Sequence, residues 1–122
     1  MPQDGRRVAI VDGCRTPFSK AGSWFRDMSP THLGPVAVRE LLSRADLDPD
    51  DVDEIVYGVV VPSIDAPNVA REVGLAAGIP PTKPAFSVSR ACASANQAIT
   101  SAADQIHRGH AGIMIAGGVE VL

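Results

Sequence analysis

Aromatic side chains are scarce in this chain, at 4% of its residues, so any core has to be assembled from Ala, Val, Ile and Leu. Basic charge is not in excess: 11 Lys and Arg stand against 14 Asp and Glu, a net charge of −3. That excludes a strongly basic nucleic-acid binder and leaves a local anion site open. Only two cysteines are present, too few for a disulfide scaffold and in keeping with a reducing compartment. The longest apolar run, Gly112 to Val119, is well short of the roughly 18 residues that a membrane span needs. The start, Met1-Pro-Gln-Asp-Gly-Arg-Arg7, has no apolar stretch behind its arginines and does not read as a signal peptide. A soluble, cytoplasmic protein is the expectation.

What is present is ordinary for a globular domain: 45% hydrophobic residues, 20% charged, 11 glycines and 10 prolines. At 122 residues, one domain covering 1–122 with a real core is the most the length allows. Val8 to Asp12 is a continuous apolar run closed by Asp12-Gly13, the pattern of a strand buried on both faces. An irregular stretch from Cys14 to Pro30 follows, carrying Arg15-Thr-Pro-Phe18 and the single tryptophan, Trp24. Ser29-Pro30 supplies a helix start, with the hydroxyl as cap and proline in the first turn. Leu33, Val36, Ala37, Glu40 and Leu41 recur at helical spacing until Asp48-Pro49, and their apolar members mark an inward face.

Asp50 to Glu54 is a compact acidic segment, read as a solvated loop because no glycine-bearing calcium loop surrounds it. Ile55 to Val61 is a second buried strand stopped by Pro62. A helix is expected from Asn68 to Ala77, with Gly78 as its terminator. Pro80, Pro81 and Pro84 stiffen the connector into a third strand, Ala85 to Ser89. A helix from Cys92 to about Arg108 then ends at Gly109; its many alanines suggest a helix sandwiched inside the protein. A fourth strand is expected at Ala111 to Ala116, before Gly117-Gly118. This alternation predicts an α/β fold with a largely parallel sheet. The chain stops soon after an apolar strand, which suggests one part of a longer polypeptide.

Chemistry concentrates at Cys92, where the third strand gives way to a helix. Parallel α/β sheets gather their functional groups at such junctions. A thiol there is either a small buried hydrophobe or a prepared nucleophile, and spacing alone leaves both open. The helix N-terminus favours thiolate, and first-turn amides, that of Cys92 included, can donate to an oxyanion. A helix terminus typically supplies about 0.3–1 kcal/mol, so a basic partner is expected to complete any activation. Of the three histidines, His107 lies roughly 20 Å from Cys92 along the helix. His32 reads as a surface or capping residue and His110 follows the terminator, so no Cys–His pair is visible. A Cys14–Cys92 disulfide gets little support from the expected strand separation.

Taken together, Arg15-Thr-Pro-Phe18, Ser89-Arg-Ala-Cys-Ala-Ser-Ala-Asn-Gln-Ala98 and Ala116-Gly-Gly-Val-Glu120 resemble the N-terminal part of thiolases. The surroundings of Cys92 are most similar to the fatty-acid-oxidation branch, including the β-subunit of the trifunctional complex. Ala95 departs from the Cys-x-Ser-Gly form common in the family. The resemblance implies a 3-ketoacyl-CoA thiolase (acetyl-CoA C-acyltransferase) in which Cys92 is the catalytic nucleophile. It also implies coenzyme A as a substrate, with no permanently bound cofactor and no metal. For Arg15, Arg90, Asn96 and Gln97 structural roles are expected. The family's Gly-His-Pro histidine and second cysteine lie in a C-terminal half that these residues do not contain. The resemblance further implies a βαβαβαββ unit, present here without its last strand and without its repeat. Phe86 to Ser89 would then be the edge strand pairing with a second subunit, in a dimer or tetramer, with a hydratase/dehydrogenase subunit as a possible partner. Two rivals stand beside this reading: a condensing enzyme of the ketoacyl-synthase type, and a non-catalytic interaction subunit or remnant.

Overall fold

The structure, a computed structural model, describes residues 5–122; positions 1–4 of the polar start lie outside it. Three parallel strands form the sheet: β1 (Glu54–Gly58), β2 (Ala85–Val88) and β3 (Met114–Gly118), in the order β2-β1-β3. β1 is central. Ile55 pairs with Ala85 on one side and with Ile115 on the other, and the register holds through Gly58. Helices α1 (Pro30–Arg44) and α2 (Val69–Ala76) pack on one side, and α3 (Ser94–His107) covers the other. The expected α/β class and parallel pairing are both found.

The two faces are unequally filled. Ile55, Tyr57 and Val59 point to the α1/α2 side, where they meet Val38, Leu42, Val69, Val73, Ile79 and Ile115. The α3 side has a thinner core of Val56, Ala98 and Ala102, with Phe86, Val88, Met114 and Ala116 packed against it. Burial of this kind is worth roughly 25 cal/mol per Å² of apolar surface, so the α1/α2 face carries most of the hydrophobic stabilisation.

α2 and α3 end at the glycines read from the sequence, and α2 begins one residue later than expected because Asn68 caps it. Asn68 caps α2, its Oδ1 accepting from the Arg71 amide at 3.4 Å, and Gly78 follows the helix at φ +96°. Gly109 ends α3 at φ +77°. Asn68 also donates to the Ala85 carbonyl at 3.0 Å and accepts from the Ser87 hydroxyl at 2.8 Å, which ties the start of α2 to β2. The proline-rich connector is held by Arg71, whose guanidinium donates to the carbonyls of Pro81 and Lys83.

Several expectations are corrected. The run Val8 to Asp12 is not a buried strand: Ile10 is 82% exposed and Val11 89%. Burial on both faces needs a place in a sheet, and no described strand pairs with this run, although β2 and β3 each leave one edge open. β1 ends at Gly58 rather than Val61: the Val59 amide still donates to the Val88 carbonyl, but those of Val60 and Val61 turn to the Glu120 carboxylate. β3 begins at Met114, not Ala111, since Asp53 takes the amides of Gly112 and Ile113 at 2.7 and 3.1 Å. α1 starts at Pro30, but the Ser29 hydroxyl bonds Thr31 Oγ1 instead of capping, and the Ser29 carbonyl accepts from His32 and Leu33. Its buried positions are Leu33, Gly34, Pro35, Val38 and Leu42, with Val36 49% exposed. The helix is turned by α2: a Cβ on Gly34 would stand 2.6 Å from a Val73 methyl, so the two helices meet there. Within these residues the sheet covers one side of α3, burying Ser94, Ala98 and Ala102, and Ile99 is 42% exposed.

Electrostatics separates the groups at the foot of β1. The amides of Gly112 and Ile113 hold the Asp53 carboxyl below its ordinary value, while burial pushes that of Glu54 up. Burial also pushes the Tyr57 hydroxyl up to about 12. An acid whose folded-state pKa is raised leaves stability untouched below its unfolded value near 10 and lowers it as pH rises from there to 12. The expected slope is at most about 1.4 kcal/mol per pH unit in that window. Tyr57 is the only tyrosine, so absorbance at phenolate wavelengths reads it directly. Ionisation near 10 without unfolding would contradict its burial, and Tyr57→Phe should remove the alkaline slope while leaving stability near pH 7 within about 1 kcal/mol.

Candidate active site

Between Val88, where β2 ends, and Ser94, where α3 begins, the chain reverses in five residues, and Cys92 stands in this turn with its thiol side exposed. The reversal needs an unusual backbone. Ala91 has φ +45°, in the left-handed region that a residue with a Cβ enters at about 1–2 kcal/mol. Four hydrogen bonds hold it. The Ala93 amide donates to the Arg90 carbonyl at 3.0 Å and the Ser94 amide to the Ala91 carbonyl at 3.1 Å. The Ser94 hydroxyl donates to the Ala91 carbonyl at 2.6 Å and accepts from the Arg90 amide at 2.8 Å. At about 0.5–1.5 kcal/mol each, bonds of this kind offset the strain. Cys92 is thus presented on a sharp strand-to-helix turn, in the manner of a nucleophile elbow.

Glycines make room for it. A Cβ on Gly58 would fall 2.5–2.7 Å from the backbone of Ser94 and Ala95, so the start of α3 rests directly on β1. Gly118 of β3 lies under Ala95, with space for a Cβ only 3.3 Å from that methyl. Gly117 gives way to the Tyr57 ring on the opposite face, at 2.9 Å. Beyond the sheet, the Glu120 carboxylate bridges back: Oε2 accepts from the Val60 amide at 2.8 Å and Oε1 from Val61 at 2.9 Å. Asp53 and Glu120 therefore clamp β1 and β3 together at their two ends. The residues Gly-Gly-Val-Glu120 act as structure around the turn.

The positions expected to have structural roles divide. Arg90 leaves the turn and donates to Gln97 Oε1 at 2.6 Å, and Gln97 continues to the Ser101 hydroxyl at 3.0 Å. Arg15 bonds the carbonyl of its neighbour Thr16. Asn96 is exposed on the first turn of α3. Of the amides expected to face an oxyanion, those of Ala93 and Ser94 are committed inside the turn. The helix proper starts two residues after Cys92, and its first turn carries no acidic side chain to oppose a thiolate.

No histidine is brought to Cys92 by a hydrogen bond among the described residues. His107 closes the 14-residue α3, about 20 Å away at roughly 1.5 Å per residue. His110 pairs with Gln105 at 2.9 Å, and His32 is exposed on α1. Cys14, the other free thiol, donates to the Ala37 carbonyl at 3.1 Å and is not bonded to Cys92. A cleft of about 330 Å³ opens between the starts of α1 and α2, lined by Thr31, Val59, Ser63, Asp65 and Glu72. A second, of about 160 Å³, holds Cys14 and Tyr57. Cys92 lines neither. Among the described residues no group of three or more His, Cys, Asp or Glu is arranged for a metal.

A parallel α/β layer with an exposed thiol on a strained strand-to-helix turn is a scaffold for nucleophilic chemistry. Residues 8–122 match the family model described as thiolase, N-terminal domain, and the chain belongs to that family. It is 44% identical over 118 residues to the 3-ketoacyl-CoA thiolase of Aeromonas salmonicida (strain A449), covering 97% of this chain and 27% of that protein. It is 46% identical over 116 residues to the 3-ketoacyl-CoA thiolase of Shewanella amazonensis (strain ATCC BAA-1098 / SB2B), covering 95% and 27%. The crystal structure of the Bacillus anthracis acetyl-CoA acetyltransferase superposes with a TM-score of 0.80 at 37% identity, over 83% of this chain and 26% of that one. The chain thus spans about a quarter of the length of these relatives.

Gly58, Ser94 and Glu120 escape a reading by residue type. A glycine inside an apolar strand is the one available signal, since it marks close backbone approach. Gly58→Ala is expected to lower stability by about 3 kcal/mol in denaturant unfolding, because the clash is with backbone and not with a flexible side chain. Wild-type stability in that variant would mean that α3 does not rest on β1. Glu120→Gln keeps one acceptor oxygen for two amides. It should accelerate hydrogen exchange at Val60 or Val61 and lower stability by about 1 kcal/mol.

Proposed function

We propose that this chain is the nucleophile-bearing part of a thiolytic acyltransferase acting on 3-ketoacyl-CoA, with Cys92 as the residue that carries the acyl group. The observation that carries the reading is the Cys92 turn: an exposed thiol held on a strained elbow ahead of a 14-residue helix. Membership of the thiolase family and the names of its relatives, 3-ketoacyl-CoA thiolase and acetyl-CoA acetyltransferase, support it.

In the proposed reaction the Cys92 thiolate attacks the 3-keto carbon. The bond between C2 and C3 breaks, and the electron pair leaves on the acetyl-CoA fragment, which takes up a proton. The shortened acyl group remains as a thioester on Cys92. The thiol of a second coenzyme A, losing its proton, then attacks that thioester, and Cys92 departs as thiolate. Splitting the transfer through a covalent intermediate replaces one difficult step by two easier ones. Both steps need a proton acceptor or donor near the sulfur, and these residues bring no histidine there. The resemblance assigns those duties to a histidine and a second cysteine in the C-terminal half. The 122-residue chain by itself is therefore expected not to turn over.

The same reading covers assembly and setting. β2 lies at the sheet edge, with one side unpaired by the described strands, in keeping with pairing to a second subunit. A role in fatty-acid breakdown follows from the substrate class. No described helix is long and apolar enough to cross a membrane.

Trapping tests the reading. The protein mixed with a 3-ketoacyl-CoA or an acyl-CoA and quenched should show the acyl mass on the peptide containing Cys92. Cys92→Ser should remove that acyl-thioester mass from the peptide. Acylation elsewhere, or no acylation at all, would remove Cys92 from the role and return the chain to the non-catalytic reading.

A further inference from the structure

We infer that Ser94 is a positioning residue, whose hydroxyl holds the turn that presents Cys92; the inference rests on the proposed role of Cys92 as nucleophile. Ser94 is 4% exposed, a polar side chain placed in the core beneath the turn. Its hydroxyl reaches both sides of the strained residue, accepting from the Arg90 amide at 2.8 Å and donating to the Ala91 carbonyl at 2.6 Å. Of the four bonds that close the turn, two come from this one group.

The direction of those bonds distinguishes the role from ordinary helix capping. A capping serine stands before the helix and accepts from an amide one turn further on. Ser94 is already the first helical residue, and its hydroxyl bonds backward, into the turn. Ala93, at the cap position, has only a methyl group and no side-chain acceptor for the helix amides. Ala91 carries a Cβ at φ +45° without the freedom of glycine, so that conformation persists only while its surroundings determine it. The Gly58 contact fixes the backbone of Ser94 against β1, which makes the hydroxyl a rigid post and not a mobile donor. Losing it would let the turn relax away from the left-handed form and carry the Cys92 sulfur with it.

The test separates positioning from general support by measuring both cysteines of the protein in one digest. Ser94→Ala is expected to slow acylation of Cys92 by acyl-CoA about tenfold and its alkylation by iodoacetamide at least threefold. Alkylation of Cys14, held at the Ala37 carbonyl on the other side of the sheet, should not change. Ser94→Thr keeps the hydroxyl and should stay within about twofold of wild type. The decisive variant adds Ala91→Gly, because glycine takes a positive φ without side-chain strain. In that background Ser94→Ala should change the Cys92 rates by less than about twofold, and this pair serves if Ser94→Ala alone does not fold. The inference is overturned by undiminished Cys92 rates in Ser94→Ala, by Cys14 changing in parallel, or by an equally large effect in the glycine background. If wild-type Cys92 takes no acyl group yet the alkylation pattern holds, the nucleophile reading falls and the role of Ser94 in holding the turn stands.

Discussion

The arrangement depends on one close approach: the backbone of Ser94 and Ala95 lies against Gly58, where even a methyl group has no room. That contact sets the height of α3 above the sheet and therefore the reach of the chain arriving from β2. A helix held further out would let the link from Val88 to Ser94 run in an open arc. Held close, the chain must double back, and the left-handed Ala91 is the residue that absorbs the reversal. The strain at Ala91 and the exposure of Cys92 are thus two results of a glycine that lies more than thirty residues earlier. It is also why the α3 face can be built from alanines: Ala98 and Ala102 are fully or nearly buried because the helix sits so low.

Much of the fold is legible in residue order because its signals are local. The Val-rich core of β1 and the terminators Gly78 and Gly109 are decided within a few residues, and they appear where the sequence places them. Val8 to Asp12 fails for a different reason. An apolar run states what a strand needs, not whether it will be paired, and no described strand pairs with this one. The ends of β1 and β3 shift because carboxylates at Asp53 and Glu120 claim backbone amides that a ladder would otherwise use. Nothing in the spacing of acidic residues announces that.

The candidate site divides along the same line. Cys92 can be singled out by motif, since its neighbours and their separations are a matter of order alone. What makes its thiol accessible cannot, because Ala91 is an unlikely residue for a positive φ and only the packed structure asks it to adopt one. That none of the described histidines stands beside Cys92 is legible from both directions. Helix length already places His107 far from the thiol, and the folded chain brings His32 and His110 to surface positions of their own.

The clamps at the two ends of the β1–β3 pair have a consequence for how these segments can diverge. Asp53 and Glu120 recognise main-chain amides, so the side chains on the clamped residues take no part in the recognition. Ile113, Val60 and Val61 are 41%, 46% and 59% exposed at those points. Their identities are free of the sheet's register, and a surface at either end of the strands can change its character, apolar to polar or small to large, without the strands slipping past one another.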